Sequence, residues 1–301
     1  MANKSFTLIE ILVVIVIVGI LSAFIIVSMA GVSEKAAIAK GQAFSNSLRN
    51  SLLASLVSEW KFDGPTDDGV LATNSDILDN WDGNNGDIGA NPPVVRTGTN
   101  CVRGKCMDFV DGTDLLYLTN NANLSLPNAI TIEFWLYPKA HYTGYAVRPF
   151  KKYTSTSDAN FVLYFFGTTA GGDYKRMRFY ATAGGSWTNV SNGTPFIDLN
   201  KWYHFAWTYS ATAGGLLYLN SAPIGSRVAS GALATNNASV VLGEGFTGIF
   251  DEVRVYNETL PSSRIKENYY SGINNLLSNN SLEKREYFES LSRLKAGIVE
   301  K

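Results

Sequence analysis

Two patterns of hydrophobic and polar positions divide this chain. From Ile11 to Ser33 there are 23 residues without a charge, mostly Ile, Val and Leu. At about 1.5 Å per residue, a helix of that length matches the core of a bilayer. Beyond Gly31 the sequence turns to SEKAAIAKGQAFSNSLRNSLLASLVSEW, in which Phe44, Leu48, Leu52 and Leu56 recur every fourth residue. That spacing is an amphipathic helical stripe. The pattern therefore predicts one long helix over 6–57, about 75 Å if unbroken, with a membrane-spanning first half.

From Trp60 onward the period changes. WKF, DLLYL, ITIEFWLYP, FVLYFF, RMRFYA, WYHFAWTYS, LLYLN, SVVLG and IFDEVRVY are short aromatic or β-branched runs between clusters of Gly, Asn, Asp, Ser and Thr. This predicts many short strands packed as two antiparallel sheets. TAGG, at Thr169, Thr182 and Thr212, reads as a turn between strands. In KWYHFAWTY, alternation puts Tyr203, Phe205, Trp207 and Tyr209 on one face, expected to be core. Pro261 followed by Ser262 and Ser263 marks the entry of a short helix, with either serine as its cap. After Ile273, a weak stripe of Leu282, Phe288, Leu291, Leu294 and Ile298 predicts a short C-terminal helix.

Composition narrows the function. The 301 residues carry a net charge of -1 and no Lys/Arg cluster, so there is no electrostatic footprint for nucleic acid. The two histidines, His141 and His204, are expected to be sheet residues. Cys101 and Cys106, five apart across a Gly-containing turn, favour a disulfide over two free thiols or a metal site. No G-x-S-x-G, H-E-x-x-H or P-loop string is present, and no E-x-D-x-x-E pair of the glycosidase kind, so the chain is not expected to be an enzyme.

Glu10 stands out within the apolar N-terminal run, where an unpaired carboxylate is costly. SFTLIE followed by a long apolar helix resembles the N-terminus of type IV pilins and pseudopilins. The resemblance implies that a prepilin peptidase cuts between Ser5 and Phe6 and that Phe6 becomes a methylated amino terminus. Glu10 would then pair with the amino terminus of a neighbouring pilin-like subunit, setting register more than stability. Ser5 stands where the family usually has Gly. Localisation follows from the same resemblance: a single-pass bacterial inner-membrane precursor with its head outside, then an extracellular filament or cell surface.

SEWKFDG, ITIEFWLYP, KWYHFAWTYSATAGGLLYLNSAPIG and GIFDEVRVYNETLPSSRIKENYYSG resemble the laminin-G-like, concanavalin A-like jelly roll. That resemblance implies a head over 58–272, between the 6–57 helix and a 273–301 tail, with residues 1–5 as leader. It also implies a structural Ca²⁺ held by Asp63 and Asp251 with backbone carbonyls. Separately, DNWDGNNGDIG offers Asp82 as a further hard oxygen ligand, although Asp, Asn and Gly are also ordinary turn residues. Trp187, in GGSWTN, is the candidate for stacking on a sugar. Together these predict a membrane-anchored, pilin-like subunit, minor or at the tip, whose head binds glycan or a surface protein. The alternatives are a structural pseudopilin of a secretion or uptake machine, and an anchored lectin that does not polymerise.

Overall fold

The computed structural model describes residues 8–9, 12–19, 40, 55–118, 124–190, 196–228, 231–280, 282, 287, 289 and 292. The chain divides into two compact units, Met1–Ser47 and Leu48–Lys301. In the first, residues 12–19 are helical (α1), and Leu12 through Val18 are each about half exposed.

The second unit is a sandwich of two antiparallel sheets. Sheet A follows the order β13(Ala222–Arg227)-β12(Gly214–Leu219)-β11(Tyr203–Ser210)-β6(Ala129–Pro138)-β15(Gly248–Tyr256)-β4(Lys105–Phe109)-β3(Val94–Thr97). β1(Leu56–Trp60) also pairs with β15. Sheet B runs β10(Ser186–Asn189)-β9(Met177–Ala183)-β8(Phe161–Phe166)-β7(Ala146–Lys152)-β14(Val240–Glu244)-β5(Leu116–Leu118)-β2(Asp87–Ile88). Alternation fills the space between them. Tyr203, Phe205, Trp207 and Tyr209 of β11 meet the inward residues of sheet B, and Trp207 stacks on Phe179 with ring centroids 5.0 Å apart. The first TAGG string falls between β8 and β9, the second runs from the end of β9 into the turn, and the third leads from the turn into β12. In the second, Gly184 and Gly185 both have positive φ and link β9 directly to β10, the geometry a two-residue type I′ hairpin demands.

The two-sheet sandwich follows the sequence pattern, but the helices do not. Among the described residues the N-terminal helical run is the short one, eight residues over 12–19. The longer helix is C-terminal: α2, Ser262–Ser278, 17 residues. Ile265, Tyr269, Ile273, Leu276 and Leu277 form its buried stripe. The sequence places a boundary at Gly272, yet the helix continues through it. There the missing Cβ lets the backbone lie on Trp135, since an added Cβ would fall 2.2 Å from the indole. Pro261 is the N-cap residue and no side chain caps the helix, so neither serine does the work expected of it. Leu56 and Val57, assigned by the stripe to the long helix, are the first residues of β1.

The membrane expectation is also corrected. Among the described residues no helix is long and apolar enough to cross a bilayer. The eight residues of α1 rise about 12 Å, against a hydrocarbon core of about 30 Å. The transmembrane anchor, the membrane as partner, and the inner-membrane and extracellular-filament localisation all required such a span.

Candidate functional site

The outward side of sheet B carries most of the chemistry. On β8, Phe161, Leu163 and Phe165 face the core, which turns Tyr164 outward; on β9, Met177, Phe179 and Ala181 face in, which turns Arg178 and Tyr180 out. Strand register then aligns a row across the whole sheet. Asn189 is paired with Tyr180, Tyr180 with Val162, Val162 with Lys151, Lys151 with Val241, Val241 with Tyr117, and Tyr117 with Asp87.

Trp187 lies at one end of this face. It is a β10 strand residue, just past the turn in which the sequence placed it. Its half-buried ring stacks on Tyr180 at 5.4 Å and meets Tyr164 edge-on at 6.5 Å, with Tyr153 at 6.4 Å. Beside these rings, Arg148 and Lys151 both reach Glu244, one to each carboxylate oxygen. The Arg148 guanidinium donates to the Tyr153 hydroxyl at 3.1 Å, and both cations lie 5.5 Å from the Tyr153 ring centroid. Burial pushes the Tyr164 phenol up, so it stays neutral and able to donate. Aromatic faces backed by fixed cations and hydroxyls are suited to the C–H faces and polar rims of sugars.

Apart from Trp187, these residues escaped the sequence reading. The usable signal was the strict alternation in FVLYFF and RMRFYA, which marks Tyr164, Arg178 and Tyr180 as outward once the core face is known.

The proposed calcium ligands occupy another place. Cys101 and Cys106 form a disulfide that bounds a four-residue loop. Val102 and Arg103 donate backbone N–H groups to Asp251 Oδ2 at 2.8 and 3.0 Å, and Lys105 N donates to Asp63 Oδ1 at 2.8 Å. The loop thus bonds both Asp63 and Asp251, the latter at the bulge where β15 exchanges β4 for β1 as neighbour. Asp251 is fully buried and its Oδ1 has no hydrogen-bond partner. Burial, reinforced by Glu252, pushes its carboxyl well up. An orphaned buried carboxylate oxygen, with a second Asp bonded to the same loop, fits an oxygen-ligated cation. Among the described residues no group of three or more His, Cys, Asp and Glu side chains is placed to hold a metal, so carbonyls or water would have to complete the shell. Asp82 lies elsewhere, in an exposed turn where its N–H bonds to Asp79.

Sheet A has an outward face too, and α2 covers it. Tyr269 stacks on Trp135 at 5.6 Å, and Asn268 donates to Glu133 Oε2 at 2.6 Å. Arg254 bonds Glu59 at 2.9 Å and also reaches Glu252. Burial pushes the Glu133 carboxyl up to about 7, against the pull of Arg254. Burial, helped by Arg254, pushes the His204 imidazole down to about 3. Their 3.8 Å approach therefore joins a neutral imidazole to a half-ionised carboxyl and is no ion pair at neutral pH. A carboxyl tuned near 7 is what a general acid needs. Glu133 is wholly inaccessible beneath the helix, however, so no substrate meets it.

Comparison with known proteins places this architecture. Residues 111–266 match the Concanavalin A-like lectin/glucanases superfamily. The chain belongs to that superfamily. Residues 1–26 match the prokaryotic N-terminal methylation motif, so this member fuses a prepilin-type motif to a concanavalin A-like jelly roll. Ser5, Phe6 and Glu10 lie outside the described residues. No curated protein matches the chain.

Solved structures are similar in fold. Domain 4 of AbnA, a GH43 extracellular arabinanase from Geobacillus stearothermophilus solved with arabinotriose, is 21% identical, with a TM-score of 0.53 over 71% of this chain and 97% of that one. The binding domain of botulinum neurotoxin DC, solved with rat synaptotagmin II, is 12% identical with a TM-score of 0.55 over 73% and 52%. The binding domain of Paraclostridial Mosquitocidal Protein 1 is 14% identical, at 0.50 over 72% and 52%. The chain spans about half the length of the two toxin domains. Its jelly roll resembles these binding modules in fold.

Proposed function

We propose that the jelly roll is a lectin-like module that binds carbohydrate on the outward face of sheet B. The observation that carries this is the Trp187–Tyr180–Tyr164–Tyr153 cluster, whose rings stay partly exposed among the described residues, held beside Arg148 and Lys151. The similar arabinanase domain, solved with arabinotriose, supports sugar as the ligand class. The test is a glycan array probed with the full chain and with Trp187→Ala and Tyr180→Ala. Specific binding lost in both variants is expected. Binding that survives both would place the ligand elsewhere.

The N-terminal motif supports processing by a prepilin peptidase between Ser5 and Phe6, and pairing of Glu10 with the new amino terminus of another pilin-like chain. The exposed apolar side chains of α1 favour such association. Mass spectrometry of the N-terminal peptide should show a chain starting at methylated Phe6; an intact Met1–Phe6 stretch in the native protein would refute the processing.

Asp63 and Asp251 are the residues that would hold a Ca²⁺, whose role would be to neutralise buried charge and tie β15 to the chain after β1. Thermal melts with calcium and with chelator test this. Calcium at a hundredfold excess over Kd should stabilise by about 2.7 kcal/mol, and Asp251→Asn should abolish the difference.

A further inference from the structure

The charges on the sheet B face are not balanced. Arg178 is matched by Asp173, which accepts from both of its terminal nitrogens. Arg148 and Lys151, by contrast, share the single carboxylate of Glu244. One positive charge is left unmatched there. The other acid in the same row, Asp87, stands three strands from Lys151 and accepts from Asn74. At about 4.8 Å per strand that is some 14 Å, beyond the screening length of about 8 Å at physiological salt. Asp87 therefore does little to cancel the excess.

The excess charge is also partly withdrawn from water. The Arg148 and Lys151 side chains keep 33% and 16% of their exposure. A half-buried cation attracts an anion more strongly than a free surface lysine does, because less solvent screens it. The Tyr153 hydroxyl and ring hold the Arg148 guanidinium in place, so little order is lost on binding. Lys151 lies two strands along the row from Tyr180. That is roughly 10 Å, the reach of a short oligosaccharide.

We propose that the glycan bound on this face is acidic. One sugar ring packs on the Trp187–Tyr180 end while a carboxylate or sulfate on a neighbouring sugar meets Arg148 and Lys151. Glu244 acts as the internal competitor that sets how much positive charge the ligand sees. This deepens the sugar-binding reading above and rests on it.

Two matched pairs of probes separate the ideas: trigalacturonate against its methyl ester, and sialyllactose against lactose. Binding to the full chain is measured by calorimetry at low and high salt. The acid of at least one pair should bind about tenfold more tightly than its neutral partner, the value of one charge-assisted contact, and salt should erode the gap. Arg148→Gln and Lys151→Gln should each remove most of the preference. Glu244→Gln should move it the other way, tightening the acidic ligand. A melting curve for each variant verifies that it folds. Equal affinity for acid and neutral partner, lost in Trp187→Ala, would overturn the acidic preference and leave the sugar site standing. Binding unaffected by Trp187→Ala, or no binding by any probe, would overturn both.

Discussion

The two outward faces of this sandwich begin from similar material and meet opposite fates. Both carry aromatic rings, arginine and glutamate on alternate strand positions. On sheet A, α2 lies over them, so Trp135, Glu133 and His204 are buried, Glu133 bonds to Asn268 of the helix, and Arg254 is engaged by Glu59. On sheet B, among the described residues, Trp187, Tyr164, Tyr180 and Arg148 remain half exposed. A tryptophan or a perturbed carboxyl does not by itself mark a binding face. What decides is whether another element of the chain already occupies it.

Substitution of the two tryptophans should split the faces most widely. Trp135→Ala leaves a cavity under α2 and should lower stability by about 3–5 kcal/mol in denaturant titration, with no direct effect on a sheet B ligand. An effect below 1 kcal/mol would mean that α2 is not held by this contact.

Titration comes next, and the signs matter. Between pH 4.5 and 7 the folded chain keeps a proton on Glu133 that the unfolded chain has lost, so this group's contribution falls as pH rises. Between pH 3 and 6.5 the unfolded chain protonates His204 while the folded chain does not, so that contribution rises with pH. The two slopes, each about 1.4 kcal/mol per unit, oppose one another in the overlap and nearly cancel. Glu133→Gln removes one of them. The stability of the parent relative to this variant should drop by about 3 kcal/mol from pH 4.5 to 7. A constant difference would show that Glu133 is not buried as described.

Removing the disulfide, which serves neither face directly, should cost roughly 2 kcal/mol for so short a loop. Since Arg103 in that loop also donates to Ser271 at 3.2 Å, exchange protection should fall first in α2. Smallest is the stability cost of Trp187→Ala, below about 1 kcal/mol, although glycan binding should disappear. A cost as large as that of Trp135→Ala would assign Trp187 to structure.

These contrasts also show what one sequence reveals. The alternation in KWYHFAWTY gave the core face of β11, because each aromatic there packs on a neighbour of fixed strand period. Trp187 was recognisable because it follows two glycines that force a turn. Tyr164, Arg148 and Glu244 were not, since they meet only through the register of β8, β7 and β14, across nearly a hundred residues of chain. The helices were misjudged for a related reason. Gly272 resembles a stop signal until Trp135 appears beneath it, and that contact is a tertiary fact.

β15 has a further consequence, which concerns time. It is an inner strand of sheet A, bonded to β6 on one edge and to both β4 and β1 on the other. Leu56 leaves the ribosome about two hundred residues before Tyr256, its partner. At roughly 5–20 residues per second, the first strand waits some 10–40 s for the strand that will hold it. Until then sheet A lies in separate pieces and the head has no closed core. The N-terminal motif is thus synthesised well before the jelly roll can close its core.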